Sequence, residues 1–264
     1  MLIAVLSDIH SNLRALDAVL DSIGTVDAVW HLGDVVGYGP EPDAVVERLR
    51  EIGAVGVKGN HDDAGCGGMS IADFSDAARD AAVWTRYRID ATTLAYLDGL
   101  PERLTPAAAA PAAAGPAAAS PPEPVQATSP ADFTLVHGSP REPMWEYLTE
   151  TFAARENLES FDTRFCLVGH THKPLVLREK RGHIQLLVPE PESRLELGEQ
   201  RAFLNPGSVG QPRDGDPRAS YLILDTGAGH ATWQRVAYDV AATQAEMLAA
   251  GLPPYLARRL SSGR

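Results

Sequence analysis

Aspartate, asparagine and histidine residues follow each of five short apolar segments in this sequence. Carboxylate and imidazole groups are ligands that suit Mn²⁺, Fe, Zn²⁺, Ni²⁺ or Co²⁺. The set contains no cysteine, which argues against a closed structural zinc site. The segments 2–6, 28–32, 54–58, 133–136 and 165–168 lead in turn to Asp8 and His10, Asp34, Asn60 and His61, His137, and His170 and His172. These residues predict a metal site.

Histidines are concentrated in this set. Of the eight in the chain, only His31, His183 and His230 lie elsewhere, and we assign those to the core or the surface. Alternatives exist for each residue alone: a histidine near a strand end usually has a structural role, Asp8 could cap a helix, and Asp34 could stabilise a turn. Five of the eight histidines lie at predicted strand ends, which separate structural roles would not explain, and the metal interpretation is therefore preferred.

Two pairs of candidate ligands are spaced one residue apart. In an extended segment, residues i and i+2 point to the same side. We therefore expect Asp8 with His10, and His170 with His172, each to aim both side chains at one place from an extended strand end.

Short buried strands that alternate with helices would position these side chains. Apolar residues at 13, 16, 20 and 23 mark one face of a first helix with Ser11 as its cap, and further helices are predicted at about 41–52 and 142–158. Segments that are apolar on both faces describe a parallel sheet covered by helices. Such sheets bind ligands at the carboxyl ends of their strands.

The remaining segments differ from this rhythm. Glycine-rich residues 65–68 predict a loop, and Ala/Pro-rich residues 105–131 predict a flexible linker or loop. Residues 74–98 predict one or two helices, which we expect to form a cap insertion at 63–104. Segments near 175–178, 184–188, 201–205, 220–224 and 231–237 predict a second, mixed or antiparallel sheet packed on the first, before C-terminal helices at 239–262.

The net charge, the number of cysteines and the length of the apolar segments argue against several classes of protein. A net charge of −12 and a pI of about 5.1 disfavour a stable nucleic-acid partner, and bound cations would supply the positive charge that an anionic substrate needs. Cys66 and Cys166 are too few for a disulfide framework, which favours a cytoplasmic location. The apolar segment 2–6 is too short for a signal peptide or membrane span.

The motifs Asp8-x-His10, Gly33-Asp34, Gly59-Asn60-His61-Asp62, His137 and Gly169-His170-x-His172 match, in order, those of the calcineurin-like metallophosphoesterase superfamily. The wider stretches SDIHSNLRALDAVL and NPGSVGQPRDGDPRASYLILD resemble its bacterial phosphodiesterase-like branch. The resemblance covers nearly the whole chain except 105–131, and is weaker in the cap and at 189–200. It implies an α/β fold, a single domain over 1–264 built as a four-layer α-β-β-α sandwich with a small helical cap.

The resemblance also implies a dinuclear metal centre with a defined ligand set. One cation would take Asp8, His10 and His172, the other Asn60, His137 and His170, and Asp34 would bridge them. His61 would not bind metal but would serve as general acid. The cofactors are expected to be two divalent transition-metal ions, with Mn²⁺ favoured and Fe, Zn²⁺, Ni²⁺ or Co²⁺ open.

The expected function is hydrolysis of a small phosphodiester or nucleotide, by attack of a hydroxide that bridges the two metals. Phosphoprotein phosphatases of the superfamily carry an Asp-Arg pair after the Gly-Asp motif, and the segment 35–39, which follows Gly33-Asp34 here, has neither residue. This puts a protein-phosphatase role in doubt and leaves His61 without an assigned orienting partner, although Asp62 is adjacent. The alternatives are a phosphomonoesterase, a nuclease, which the charge disfavours, and a non-catalytic scaffold, which the complete ligand set disfavours.

Weaker candidates lie nearby. Asn12 could approach phosphate or cap a helix, and Arg141 could bind a substrate anion or form a surface salt bridge. Residues 205–208 are expected to form a turn at a sheet edge, and Arg213 and Arg218 are expected to be solvated loop charges.

Overall fold

The computed structural model describes residues 1–107 and 128–264, and contains two mixed sheets of six strands each. The strands are β1 (Leu2–Leu6), β2 (Ala28–His31), β3 (Val55–Gly56), β4 (Arg103–Leu104), β5 (Phe133–Val136), β6 (Phe165–Leu167), β7 (Pro174–Lys180), β8 (His183–Leu187), β9 (Arg194–Glu196), β10 (Ala202–Pro206), β11 (Ala219–Asp225) and β12 (His230–Val236). Most of the predicted Ala/Pro-rich linker lies outside the described residues.

Helices cover the two sheets. They are α1 (Leu13–Ser22), α2 (Pro42–Glu51), α3 (Asn60–Cys66), α4 (Asp76–Arg86), α5 (Ala91–Asp98), α6 (Thr151–Asn157), α7 (Val240–Ala249) and α8 (Pro254–Leu260), with 3-10 turns at Pro130–Asp132 and Leu158–Ser160. In the described ranges, none of these helices has the length and apolar character needed to span a bilayer.

The first sheet has the strand order β3-β2-β1-β11-β12-β9, and the second has β4-β5-β6-β10-β7-β8. Strands β1, β2 and β3 run parallel in the first sheet, and β5, β6 and β10 run parallel in the second. The other pairings are antiparallel. Each sheet therefore presents a group of parallel carboxyl ends at one edge.

The sheets pack face to face through a core to which both contribute, including Val5 and Trp30 from the first and Phe133, Phe165 and Leu204 from the second. A second cluster joins the outer face of the first sheet to α1, α2 and α5, and another joins the outer face of the second sheet to α6. These clusters define the α-β-β-α layers, so the expected four-layer fold is confirmed.

The predicted division of strands between the two sheets is wrong. The five segments with polar ends do not form one parallel sheet, since β1 to β3 lie in the first sheet and β5 and β6 in the second. The later strands also divide, because β9, β11 and β12 extend the first sheet whereas β7, β8 and β10 extend the second. Periodicity reports whether a strand is buried but not which neighbour it pairs with.

Two helices also differ from the predictions. The segment around 142–158 is helical only from Thr151, because Pro143 lies in a turn in which its carbonyl accepts a hydrogen bond from the Gly138 N–H at 2.5 Å. Conversely, the glycine-rich loop is preceded by α3, whose first turn contains Asn60 and His61. Asp62 accepts the Gly59 N–H at 2.9 Å there and so satisfies a backbone donor at the start of the helix.

The segment 63–104 contributes to several parts of the fold. Helix α4 packs with α7 and α8 in a separate apolar cluster that includes Phe74, Ala81, Met247 and Leu256. Helix α5 instead joins the helical layer on the first sheet, and β4 pairs with β5. The description of 63–104 as a cap insertion stays a prediction.

Candidate metal centre

The carboxyl ends of the parallel strands of both sheets meet at one buried cluster of ligand atoms. Donor atoms of Asp8, His10, Asp34 and His172 all lie within 4.8 Å of one another, and so do those of Asp34, His137 and His170. Asn60 adjoins the second group, with its Oδ1 3.1 Å from His137 Nε2. The structure thus brings together all seven residues predicted as ligands.

The backbone reaches this arrangement in an unexpected way. Asp8 and His10 have φ values of 52° and 50°, and His170 and His172 have values of 62° and 59°. The prediction that extended strand ends present these pairs is therefore wrong, since alternate residues adopt the left-handed conformation. Non-glycine residues adopt it rarely and at a cost of about 1–2 kcal/mol, and such strain is concentrated at functional sites.

In the first group, the hydrogen bonds of His10 and His172 leave one ring nitrogen of each histidine free to bind a metal. His10 Nδ1 lies 3.1 Å from the Val36 carbonyl oxygen, and His172 Nδ1 lies 2.6 Å from that of Gln211. Each Nδ1 therefore carries the proton that it donates, and each Nε2 presents a lone pair. The two Nε2 atoms are 3.2 Å apart, an arrangement that repels unless a cation lies close to both. Asp8 Oδ1 is buried beside them without a hydrogen bond from any described residue.

The second group follows the same pattern. His137 donates through Nδ1 to the Leu32 carbonyl oxygen at 2.8 Å, which leaves its Nε2 facing the centre. That Nε2 is 3.1 Å from His170 Nδ1 and 3.4 Å from Asp34 Oδ2. Burial favours the neutral imidazole, but the Asp34 carboxylate outweighs it and raises the pKa of His137 to about 9. A positive charge is therefore stabilised at the place where a cation would bind.

Asp34 connects the two groups. Its Oδ2 lies 3.6 Å from His10 Nε2 in one group and 3.4 Å from His137 Nε2 in the other. Burial opposes the charge of this carboxylate, yet the surrounding histidines hold the pKa of Asp34 well below its usual range. Its Oδ1 accepts the His61 N–H at 2.8 Å, which fixes the rotation of the carboxylate. Asp34 thus has the position of a bridging ligand.

Burial is the largest influence on the pKa values of three other ligands. It raises the pKa of Asp8 to about 7, and it lowers the pKa of His170 to about 3 and that of His10 far below its usual value. Carboxylate, amide and neutral imidazole donors in two adjoining sets fit divalent transition metals. The residues present therefore fit the metal centre that the resemblance implies.

His61 faces the centre without joining either group. Its ring lies 4.3 Å from Tyr38, 4.9 Å from Phe74 and 5.1 Å from His10, measured between centroids. Burial lowers the pKa of His61 to about 4, although Asp34 opposes the shift. Its Nδ1 is buried and has no hydrogen-bond partner in the described part of the chain.

Asp62 does not orient His61. Its two carboxylate oxygens accept hydrogen bonds from the Val36 N–H at 3.0 Å and the Gly59 N–H at 2.9 Å. Asp62 therefore joins the loop after β2 to the start of α3. The ring of His61 is positioned by aromatic packing and by Gly37 instead, since a Cβ on Gly37 would lie 2.7 Å from His61 Nδ1.

Residues outside the predicted set support the ligand loops. Asn205 donates to the Gly169 carbonyl oxygen at 2.7 Å and to Thr171 Oγ1 at 3.1 Å, and so holds the loop that carries His170 and His172. Ser208 donates to the Asp8 carbonyl oxygen at 2.8 Å. These contacts agree with the structural role expected for residues 205–208, although β10 lies inside the second sheet, between β6 and β7, and not at its edge.

Asn12 and Arg141, the two weaker substrate candidates, are engaged in other contacts. Asn12, not Ser11, caps α1: its Oδ1 accepts the Ala15 N–H at 3.2 Å, and its amide donates to the Gly210 carbonyl oxygen at 3.0 Å. Arg141 forms ion pairs with Glu146 and Glu156. Both observations match the structural alternatives for these residues.

Sequence reasoning treated Arg213 as a solvated loop charge, and it missed the aromatic rings around the centre. The guanidinium carbon of Arg213 lies 5.7 Å from the ring centroid of Tyr38, beside the centre. The ring of Tyr147 stacks on His170 at 4.0 Å, while half of that tyrosine remains exposed. Strand β10 runs parallel to β6, so the loop that follows β10 lies at the same edge of the sheet as the loop that follows β6. The direction of β10 is therefore the feature that would have placed Arg213 beside the centre.

A two-sheet α/β sandwich with buried aspartate, histidine and asparagine donors at its strand ends defines the class of metal-dependent phosphoesterases. Residues 1–229 match the calcineurin-like phosphoesterase superfamily domain, and the chain belongs to this superfamily. Its members use divalent metal ions, in agreement with the two donor groups.

Related proteins match this chain over nearly their full length. A metallophosphoesterase from Sphaerobacter thermophilus has a crystal structure that is 43% identical, with a TM-score of 0.84 and coverage of 100% of this chain and 99% of that one. An uncharacterized protein of Methanocaldococcus jannaschii is 34% identical over 100% of this chain and 98% of its own. A hypothetical protein from Pyrococcus horikoshii, 19% identical with a TM-score of 0.75, covers 100% of this chain and 98% of its own and shows the same fold.

Proposed function

We propose that this protein is a phosphoesterase that uses two divalent cations to hydrolyse a small phosphodiester or nucleotide. The observation that carries the proposal is the pair of donor groups that share Asp34. Two cations bridged by one carboxylate form the arrangement that stabilises both the attacking and the leaving oxygen of an in-line displacement.

The ligand assignment follows the two groups. Asp8, His10 and His172 would hold one cation, Asn60, His137 and His170 the other, and Asp34 both. When bound, the cations would activate water and neutralise charge on the phosphoryl oxygens. Mn²⁺ is the identity we propose, with Fe, Zn²⁺, Ni²⁺ and Co²⁺ as alternatives, since mixed oxygen and nitrogen donors without thiolate suit all of these ions.

His61 is the proposed general acid. Its side chain lies beside both groups, yet its Nδ1 has no hydrogen bond from the described residues. An imidazole in this place is available to protonate the leaving oxygen, whereas a ligand would be occupied by metal. The negative charge of a bound phosphoryl group would favour the protonated imidazole, against the effect of burial.

A small substrate agrees with the surroundings of the site. The chain has a net charge of −12, which opposes binding along a nucleic-acid backbone. The half-exposed ring of Tyr147 offers a surface on which a nucleobase could stack. Both cysteines are free, which supports the proposal of a cytoplasmic enzyme.

The experiment compares chelated protein with Mn²⁺-reloaded protein on bis-p-nitrophenyl phosphate and p-nitrophenyl phosphate, with metal analysis of each sample. We expect Mn²⁺-dependent hydrolysis with a preference for the diester. A preference for the monoester would favour the phosphomonoesterase alternative. Two bound metals without cleavage of either ester would refute the proposal in favour of a scaffold.

A further inference from the structure

Arg213 lies in the loop after β10 and is turned towards the metal centre. Its N–H donates to the His172 carbonyl oxygen at 3.3 Å, and its Nη2 donates to Gln211 Oε1 at 2.9 Å. The carbonyl of the same Gln211 accepts from His172 Nδ1. The backbone around Arg213 is thus attached directly to a candidate ligand, which fixes its distance from the centre.

The acidic residues of the loop pair with other arginines. Asp214 forms an ion pair with Arg235, and Asp216 forms one with Arg218 at 2.6 Å. Among residues 1–107 and 128–264, Arg213 has no ion pair with a carboxylate, although two aspartates lie within three positions of it in the sequence. The Nε of Arg213 is buried and likewise has no partner in those ranges.

The charge of Arg213 influences the two tyrosines beside the centre, Tyr38 and Tyr147. After burial, which raises both values, this charge is the main influence that lowers the pKa of Tyr38 and of Tyr147. After burial, it also lowers the pKa of a second guanidinium, that of Arg259. A cationic group that is partly desolvated and lacks an acidic partner is costly unless an anion binds to it.

We propose that Arg213 binds the phosphate group of the substrate. This inference rests on the proposed function. The planar guanidinium donates two parallel N–H bonds to the oxygens of one phosphate, a geometry that lysine does not reproduce. The substrate class is accordingly a phosphoester whose anionic oxygens reach the side of the site formed by Tyr38 and Tyr147.

The test measures binding of inorganic phosphate to Mn²⁺-loaded protein by calorimetry, for the wild type and three variants. We expect Arg213→Gln to weaken phosphate binding about ten- to hundredfold, the usual loss for a charge-assisted hydrogen bond. Arg218→Gln is the matched control, because it removes an exposed arginine of the same loop that already has a partner, and it should bind phosphate as the wild type does.

Arg213→Lys provides a second reading if Arg213→Gln does not fold. Lysine keeps the positive charge but cannot donate two parallel N–H bonds to one phosphate, so we expect phosphate binding to weaken about tenfold. Phosphate binding within twofold of wild type in the variants of Arg213, equal loss in Arg218→Gln, or no phosphate binding by the wild type would each overturn the inference.

Hydrolysis of bis-p-nitrophenyl phosphate by the same samples separates this inference from the proposed function. Wild-type protein that binds phosphate through Arg213 but hydrolyses no ester would refute the proposed function and keep the inference. Hydrolysis by the wild type, with phosphate binding that does not depend on Arg213, would refute the inference alone.

Discussion

At the scale of single residues, one oxygen atom connects the two halves of the centre. Asp34 Oδ2 lies within 3.6 Å of His10 Nε2 and within 3.4 Å of His137 Nε2, whereas Oδ1 is engaged by the His61 N–H. The residue therefore has two separable roles, one electrostatic and one in positioning. An amide could retain the second role but would lose the negative charge of the first.

Asp34→Asn should consequently lose metal while it keeps its fold. We expect metal affinity to fall at least about a hundredfold and hydrolysis to fall with it, because the change removes a shared charged ligand. Metal content of the dialysed protein is the measurement. Asp63→Asn is the control, since Asp63 is a carboxylate close in sequence that pairs with Lys58 outside the centre. Normal metal content in Asp34→Asn would contradict the bridging role.

His61→Ala should separate chemistry from metal binding. Metal content should stay normal, and turnover should fall by about 10²–10⁴ for substrates with an alkoxide leaving group. The loss should be much smaller for bis-p-nitrophenyl phosphate, because p-nitrophenolate leaves without protonation. An equal loss for both kinds of substrate would argue against the general-acid role.

The sequence identified the ligands better than it identified their supports. Asp, Asn and His at strand ends are an unusual combination, and all seven predicted ligands converge. Arg213 and Asn12 carried no such signal, because an arginine in a loop or an asparagine before a helix has many ordinary roles. Only the folded chain shows that Asn12 caps α1 and that the aspartates beside Arg213 pair with other arginines.

At the scale of elements, the turn after β2 sets the position of His61. Gly37 has φ of 93°, and a Cβ there would meet His61 Nδ1 at 2.7 Å. Glycine is required at this position both by its backbone conformation and by its contact with the ring. Gly251 separates these two requirements. It has a similar backbone conformation, with φ of 77°, but a Cβ placed on it would have no atom within 4 Å.

Gly37→Ala and Gly251→Ala should therefore both lose about 1–2 kcal/mol from left-handed strain, and Gly37→Ala should lose more, because its methyl group also overlaps the ring of His61. Only Gly37→Ala should also lose turnover, because the methyl group displaces the ring of His61. Thermal unfolding measures the first effect, and hydrolysis of a phosphodiester with an alkoxide leaving group measures the second. Equal activity in the two variants would mean that the position of His61 does not depend on this turn.

Strand pairing was the part of the fold that the sequence did not predict. The apolar segments were recognised correctly as strands, and most of their bounds agree with the structure to within a few residues. The place of β10 was missed because its partners, β6 and β7, differ in direction. Asn205 in that strand holds the loop of His170 and His172, so this pairing is also what completes the site.

At the scale of the whole molecule, the metal centre joins the two sheets. Asp8, His10, Asp34 and Asn60 follow strands of the first sheet, whereas His137, His170 and His172 follow strands of the second. The centre brings lone pairs of buried nitrogens close together, as between His10 Nε2 and His172 Nε2 at 3.2 Å, an arrangement that a bound cation would stabilise. The interface between the sheets is therefore apolar along its length and electrostatically strained at one edge.

Metal binding should relieve this strain and stabilise the whole fold. At a metal concentration a hundredfold above Kd, linkage adds about 2.7 kcal/mol to the free energy of unfolding for each cation bound only by the folded state. For a chain of this size, that corresponds to an increase in Tm of about 5–10 °C. Thermal unfolding of chelated and Mn²⁺-reloaded protein measures the shift, and Asp34→Asn should reduce or abolish it. An unchanged Tm on reloading, with metal bound, would mean that the sheets are held together without any contribution from the centre.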